Sequence, residues 1–99
     1  MMQVVFREQA LTDMRNAMAW FRDRRDGSEE RFEDAVDAEL TFIRQYPFGY
    51  QLRRPPYRFA MVRGFAYFII YVIVGRVLVI HRIRHMHQRP LKRSFGTLR

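Results

Sequence analysis

The first part of the chain repeats apolar residues at the spacing of an α-helix. Over residues 9–25 the apolar side chains are Leu11, Met14, Met18 and Phe21, with Ala17 and Trp20 beside them. Steps of three and four residues place such side chains on one face of a helix. The pattern therefore predicts an amphipathic helix that Asp26-Gly27-Ser28 ends, with Trp20 off the main stripe as a core residue or a contact for a partner.

A second helical pattern follows this break directly. Ser28 is a suitable N-cap residue, and Glu29 and Glu30 in the first turn suit the helix dipole. The helix is predicted to end near Tyr46, because Pro47 cannot continue it. Its apolar residues are Phe32, Ala35, Val36, Leu40 and Ile43. Two helices joined by so short a break predict an antiparallel helical hairpin.

The remaining segments have the features of β-strands. A short strand is predicted at residues 3–7. A second strand, with alternating residues and one solvent-exposed face, is predicted at residues 57–62. Residues 67–74 are almost all apolar, which is typical of a central strand. Gly75-Arg76 suits a tight hairpin into a last strand at residues 77–84. Residues 48–56 contain Gly49, Pro55 and Pro56 and are predicted to form a loop.

This order of elements, β-α-α-β-β-β, predicts an α+β fold. The helical hairpin is expected to pack on one face of a mostly antiparallel four-stranded sheet. A chain of 99 residues is predicted to form a single domain, residues 1–99.

The charged residues are distributed unevenly along the chain. The net charge is +8, but all acidic residues lie between Glu8 and Glu39. The first 39 residues contain six basic and ten acidic side chains, whereas the last sixty contain twelve basic and none acidic. A half-chain without carboxylates presents a positive field, so we expect an anionic partner there. Any catalysis in that half would depend on arginine, histidine, tyrosine or Lys92.

Several classes of protein are disfavoured by the composition. The chain has no cysteine, so no disulfide framework or thiolate metal site is expected. The N-terminus does not have the pattern of a signal peptide, and the longest uncharged apolar run, residues 65–74, is too short to span a membrane. We therefore expect a cytoplasmic protein with no membrane association and no cofactor.

Local motifs resemble those of the RelE/ParE family of bacterial toxins. Residues 64–71, Gly-Phe-Ala-Tyr-Phe-Ile-Ile-Tyr, are similar to the family's Phe-Pro-Tyr-x-Ile-x-Tyr segment, with Ala66 in place of proline. The last strand is similar through His85 and Pro90, although Arg89 stands where an acidic residue is common. Ala10, Asp13 and Met14 fit the first-helix pattern, and Pro47 matches a proline that often closes the second helix.

This resemblance implies the toxin of a type II toxin–antitoxin system, neutralised by a small acidic antitoxin in a hetero-oligomer. An antitoxin helix would lay apolar residues into a groove beside the helical hairpin, with its carboxylates at the arginines of the sheet. The residues expected to contact the antitoxin or the target are Trp20, Arg58, Arg63, Arg82, Arg84, Arg89 and Lys92.

The family divides into two toxic mechanisms. ParE-like members bind DNA gyrase and stall it on broken DNA, whereas RelE-like members cut mRNA on the ribosome. The nucleases carry an arginine where this chain has Phe68, and they use lysine on the sheet and a C-terminal tyrosine, which this chain lacks. The ParE-like activity is therefore favoured. If the chain is a nuclease, the candidate catalytic residues are Arg82, Arg84, His85, His87 and Arg89.

Other functions remain open from the sequence. A non-toxic basic module that binds nucleic acid would have the same charge distribution. His81, His85 and His87 would share one face of a continuous strand, but the surrounding arginines disfavour a metal ion. His81 is expected to be a half-buried sheet residue that makes one hydrogen bond. The aromatic residues that form either a base-stacking platform or part of the core are Tyr57, Phe59, Tyr67 and Tyr71.

Overall fold

The computed structural model describes residues 2–88 and contains two helices and five strands. In chain order these are β1 (Gln3–Phe6), α1 (Glu8–Arg24), α2 (Ser28–Gln45), β2 (Gln51–Arg54), β3 (Tyr57–Met61), β4 (Tyr67–Val74) and β5 (Val77–His85). Neither helix in this part of the chain has the length and apolar character needed to cross a membrane.

The strands form one mixed sheet with the spatial order β1-β5-β4-β3-β2. β1 pairs with β5 in parallel, and all the other neighbouring strands are antiparallel. The helical hairpin connects β1 to the rest of the sheet and covers one of its faces. This confirms the predicted α+β fold with a mostly antiparallel sheet, but the sheet has five strands rather than four.

The additional strand, β2, lies in the segment that was predicted to be a loop. Gln51–Arg54 pairs antiparallel with β3, with an irregular register between Leu52 and Arg54. All four of its residues are exposed. The prediction was wrong because an edge strand with both faces in solvent needs no apolar alternation, which is the signal used to recognise a strand.

Helix α1 begins and ends one residue before the predicted limits, and its buried face is rotated. Ala10, Ala17 and Phe21 are buried, whereas Leu11 is exposed and Trp20 keeps 55% of its surface accessible. The small side chains of Ala10 and Ala17 let the helix backbone approach the sheet closely. The expected core position of Trp20 is therefore wrong, and the alternative of a surface contact remains.

Helix α2 buries the face predicted from its spacing, with Phe32, Val36 and Ile43 in the core. Its start differs in one detail, because Gly27 occupies the N-cap position at φ +81° and Ser28 is the first helical residue. The Asp26 carboxylate accepts a hydrogen bond from the Ser28 backbone N–H at 3.0 Å. Hydrogen bonds from Ser28 lower the pKa of Asp26 to about 2. The Ser28 hydroxyl donates to the Phe21 carbonyl at 3.4 Å.

The sheet has apolar clusters on both faces. Beneath the helices, Phe21, Phe32, Phe65 and Tyr67 pack with ring centroids 4.8–6.0 Å apart. The opposite side, which we call the open face, carries Tyr57, Ile70 and Val72 with Phe59, Phe68 and Val79 around them. Among residues 2–88 no helix covers the open face.

Candidate partner-binding surfaces

The folded chain confines its carboxylates to one of its two layers. Every carboxylate side chain belongs to the helical hairpin or to the short link within it, between Glu8 and Glu39. Residues 46–88, which form β2 to β5 and their turns, contain seven arginines and no carboxylate. The sequence predicted this separation, and it makes the sheet the positive side of the molecule.

One sheet arginine is neutralised within the chain. The Arg82 Nε and Nη2 atoms donate to the two carboxylate oxygens of Asp13 at 2.6 and 2.9 Å. Asp13 also accepts the Ile83 backbone N–H at 3.0 Å. Both ionic side chains are largely buried, at 12% and 14% exposure. Arg82, a candidate for both partner binding and catalysis, is thus engaged by α1. The sequence did not reveal the pair, since 69 residues separate the two positions.

A β-bulge lies in β5 directly before Arg82. In the register of β4 and β5, Tyr71 lies opposite Ile80 and Ile70 lies opposite Arg82, so His81 has no opposite residue on β4. Such an extra residue redirects the side chains that follow it. His81 lies on the open face with its ring 4.7 Å from that of Tyr57. At 3% exposure His81 is buried, not half-buried as predicted.

The burial of His81 makes stability depend on pH. Burial, and secondarily the positive charges of Arg7 and Arg82, lower the pKa of His81 from 6.5 to about 4. The unfolded chain therefore binds a proton that the folded chain does not accept until lower pH, so stability falls as pH falls through this window. We expect a loss of about 2 kcal/mol between pH 7 and pH 5.

Urea unfolding at the two pH values would measure this loss. The variant His81→Phe keeps a ring against Tyr57 but removes the titrating group, so its stability should change less over the same range. An equal change in wild type and variant would show that His81 is not responsible.

The three histidines do not share a face, because the bulge separates them. His85 lies opposite Tyr67 on β4, with the two ring centroids 5.1 Å apart on the helix-covered side, and the His87 ring follows 5.2 Å from that of His85. Within residues 2–88, no three histidine, aspartate or glutamate side chains are grouped to hold a metal ion. His81 therefore belongs to a different environment from the other two.

The predicted aromatic set is also divided between the two faces. Tyr67 and Tyr71 belong to the core under the helices, whereas Tyr57 and Phe59 lie on the open face. There, the Arg53 guanidinium lies 5.3 Å from the ring centroid of Phe59 and 4.7 Å from that of Phe68. The open face thus combines arginine with aromatic rings, a composition that is common where proteins bind other molecules.

The candidate catalytic residues occupy different environments. Arg84 lies opposite Phe68 on the open face, and burial lowers its pKa. His85 points to the other side of the sheet, and Arg82 is held by Asp13. Arg89 lies outside the described residues. Arg84 and His85 therefore do not face one common site.

A cleft of about 750 Å³ lies where the turn of the helical hairpin meets the end of β5. Trp20 lines it, and the Arg24 guanidinium lies 5.0 Å from the centre of the Trp20 ring. The other lining residues include Asn16, Phe65, Ala66, His85 and His87. This cleft is the closest counterpart of the groove expected beside the helical hairpin.

Arg58 and Arg63 lie away from this cleft. The Arg58 guanidinium donates to the carbonyls of Phe48 at 3.2 Å and Tyr50 at 2.7 Å, so it holds the turn before β2 in place. Arg63 is exposed in the turn after β3 and lines a smaller pocket with Phe42. Lys92 lies outside the described residues. The predicted contact residues are thus distributed over several surfaces.

Comparison with known proteins adds information on the fold. No protein-family model matches the chain, and no curated protein matches it. A solved structure of a chain from the chromosomal ParDE TA system of P. aeruginosa is similar, with a TM-score of 0.70 and 16% sequence identity. The match covers 86% of this chain and 96% of the other. At this identity the likeness concerns the backbone arrangement, and it shows that the chain shares the α+β fold of that protein.

Proposed function

We propose that the protein is the toxin of a toxin–antitoxin pair, neutralised by an acidic antitoxin, and that it acts by binding DNA gyrase. The observation that carries the proposal is the sheet layer of seven arginines without a carboxylate, on a fold similar to a chain of a ParDE system. Such a layer favours association with a negatively charged protein. The cleft beside Trp20 offers an apolar contact for the same partner.

Gyrase binding is favoured over mRNA cleavage because the described candidate nuclease groups do not all face one site. General acid–base cleavage requires a proton acceptor and phosphate-binding charges around one reacting group. In this chain Arg82 is paired with Asp13, and Arg84 and His85 lie on opposite sides of β5. A toxin that acts by binding another protein needs a surface complementary to that protein, and it does not need catalytic groups around one reacting atom.

Two assays on the purified protein would test this activity. With gyrase, supercoiled DNA and ATP, we expect micromolar protein to reduce supercoiling and to accumulate cleaved DNA bound to gyrase. In a parallel translation reaction a defined message should remain intact. Message cut at defined sites, with less cutting by Arg84→Ala and His85→Ala, would favour the nuclease and contradict the proposal.

Induced expression in bacteria would test toxicity itself. We expect growth arrest that is relieved when a small acidic protein from the neighbouring reading frame is expressed with the toxin. Harmless expression of folded protein, combined with salt-sensitive binding to DNA or RNA, would favour a non-toxic nucleic-acid-binding module.

A further inference from the structure

Five valines form a continuous apolar surface at one end of the open face. The strand registers place Val5 beside Val79, Val79 beside Val72, and Val77 beside Val74. The residues that alternate with these valines along β1, β4 and β5 belong to the core beneath the helices. Since successive side chains of a strand point to opposite sides of the sheet, the valines point to the open face. We call these five residues the valine patch.

Much of the valine patch is in contact with solvent. Val74 keeps 57% of its surface accessible and Val5 keeps 42%, whereas Val72 is buried. Gln3, which lies beside Val77 in the register, is exposed and polar. Adjoining exposed apolar side chains with a polar border mark sites where proteins bind one another. The valine patch is therefore a candidate interaction surface.

The charges around the valine patch are positive. None of the five described strands carries a carboxylate. Arg76 is exposed in the turn between β4 and β5, and Arg7 follows β1 close enough to His81 for its charge to lower the pKa of that residue. Arg53 lies over the aromatic rings at the other end of the open face. A partner on the patch would thus meet arginines along its border and no carboxylate from these strands.

The chemistry of the patch suits a protein better than a nucleic acid. Nucleic acids are held by cationic contacts to phosphate and by stacking of bases on flat rings. A valine side chain offers neither a charge nor a ring. Burying it is favourable when apolar side chains of a partner replace the water around it. Because the border is positive, the complementary protein surface is an apolar centre surrounded by carboxylates.

A second copy of this chain is a poor occupant of the patch. Two patches packed face to face would bring Arg7, Arg53 and Arg76 of both chains towards one interface. The strands supply no carboxylate to compensate these charges. Like charges placed opposite one another across an interface oppose association.

We propose that the valine patch binds the toxin's protein target, with apolar side chains of an acidic region of the target on the valines and its carboxylates at the surrounding arginines. This inference rests on the proposed function, because it assigns that target to one surface of the toxin. The contact is made by side chains of the sheet face. The cleft beside Trp20 lies on the helix-covered side of the sheet, so target and antitoxin would contact opposite sides of the toxin.

Binding of purified gyrase to the immobilised protein, measured by surface plasmon resonance, would test the inference. Val74→Glu places a carboxylate within the patch at an exposed position. It should weaken gyrase binding at least about tenfold, because it removes apolar contact and repels the carboxylates of the target. Leu11→Glu makes the same kind of change at a similarly exposed position of α1, 43% accessible, and should leave binding unchanged.

A conservative variant separates loss of binding from loss of folding. Val5→Thr/Val74→Thr keeps the β-branched shape that suits a strand but adds two hydroxyl groups to the patch. It should keep the circular dichroism spectrum of the wild type and weaken gyrase binding about threefold or more. Wild-type binding by this variant and by Val74→Glu, or an equal loss from Leu11→Glu, would overturn the inference.

Photocrosslinking in growing bacteria would identify what lies on the patch. A photoreactive amino acid in place of Val74 should form a crosslink to gyrase, whereas the same group in place of Leu11 should not. A crosslink from the patch to RNA or DNA would overturn the inference in favour of a nucleic-acid surface. A crosslink to a second copy of the chain, with a homodimer in sedimentation equilibrium that Val74→Glu dissociates, would also overturn it.

These experiments distinguish failure of the inference from failure of the proposed function. Wild-type protein that inhibits gyrase, with Val74→Glu equally active, would refute the patch and leave the proposed function standing. Wild-type protein that does not bind gyrase would refute the gyrase proposal, and the crosslink then decides the patch alone. A crosslink to another acidic protein, which in purified form binds the wild type but not Val74→Glu, would support the surface. No crosslink from the patch would overturn it.

Discussion

Replacing Phe32 with alanine is expected to lower the free energy of unfolding by about 3–5 kcal/mol. The Phe32 ring is fully buried and contacts three other aromatic rings, with centroids 4.8 Å from Phe21, 5.2 Å from Phe65 and 5.0 Å from Tyr67. These rings come from both helices, from β4 and from the turn before β4. Alanine would leave a cavity where all these elements meet, and urea unfolding followed by circular dichroism would measure the loss.

Phe42 provides the matched control for this substitution. It is the same residue type on the same helix but is about half exposed, so Phe42→Ala should cost under about 1 kcal/mol. If the two variants lost similar stability, the arrangement of α2 against the sheet would be incorrect.

Replacing Asp13 with alanine is expected to cost about 3 kcal/mol. The substitution would leave the largely buried Arg82 guanidinium without its carboxylate partner and remove the acceptor of the Ile83 N–H. An uncompensated buried charge is costly because the protein interior solvates it poorly. Equilibrium unfolding in urea at neutral pH would measure the effect.

Two further variants would isolate the ion pair. Asp23→Ala removes an exposed carboxylate from the same helix and should change stability little. The double variant Asp13→Ala/Arg82→Ala should lose less stability than the sum of the two single variants, because the second substitution removes the stranded charge. Additive losses would contradict a direct interaction between these side chains.

The sequence predicted most of the fold because the buried elements carry strong periodic signals. The helical spacing of α2 and the apolar run of β4 both correspond to what these elements bury. The rotation of α1 was missed because it depends on how Ala10 and Ala17 approach the sheet, which is a tertiary effect. The edge strand β2 was missed because no buried face imposes a pattern on its residues.

The candidate surfaces were less predictable than the fold. The separation of charge was visible in the sequence, since all the carboxylates precede Leu40. The pairing of Asp13 with Arg82 was not, because it depends on packing between distant segments. The separation of His81 from His85 follows from one extra residue in β5, which alternation alone cannot indicate.

The parallel pairing of β1 with β5 has a consequence for biosynthesis. β1 leaves the ribosome before the other described elements, yet its partner in the described sheet, β5, is made after all of them. Contacts between such distant segments form only after the intervening chain has been ordered. A nascent chain that stops before Val77 would therefore lack the sheet's second strand and the partner of Asp13, so the described structure should form only after β5 has been synthesised.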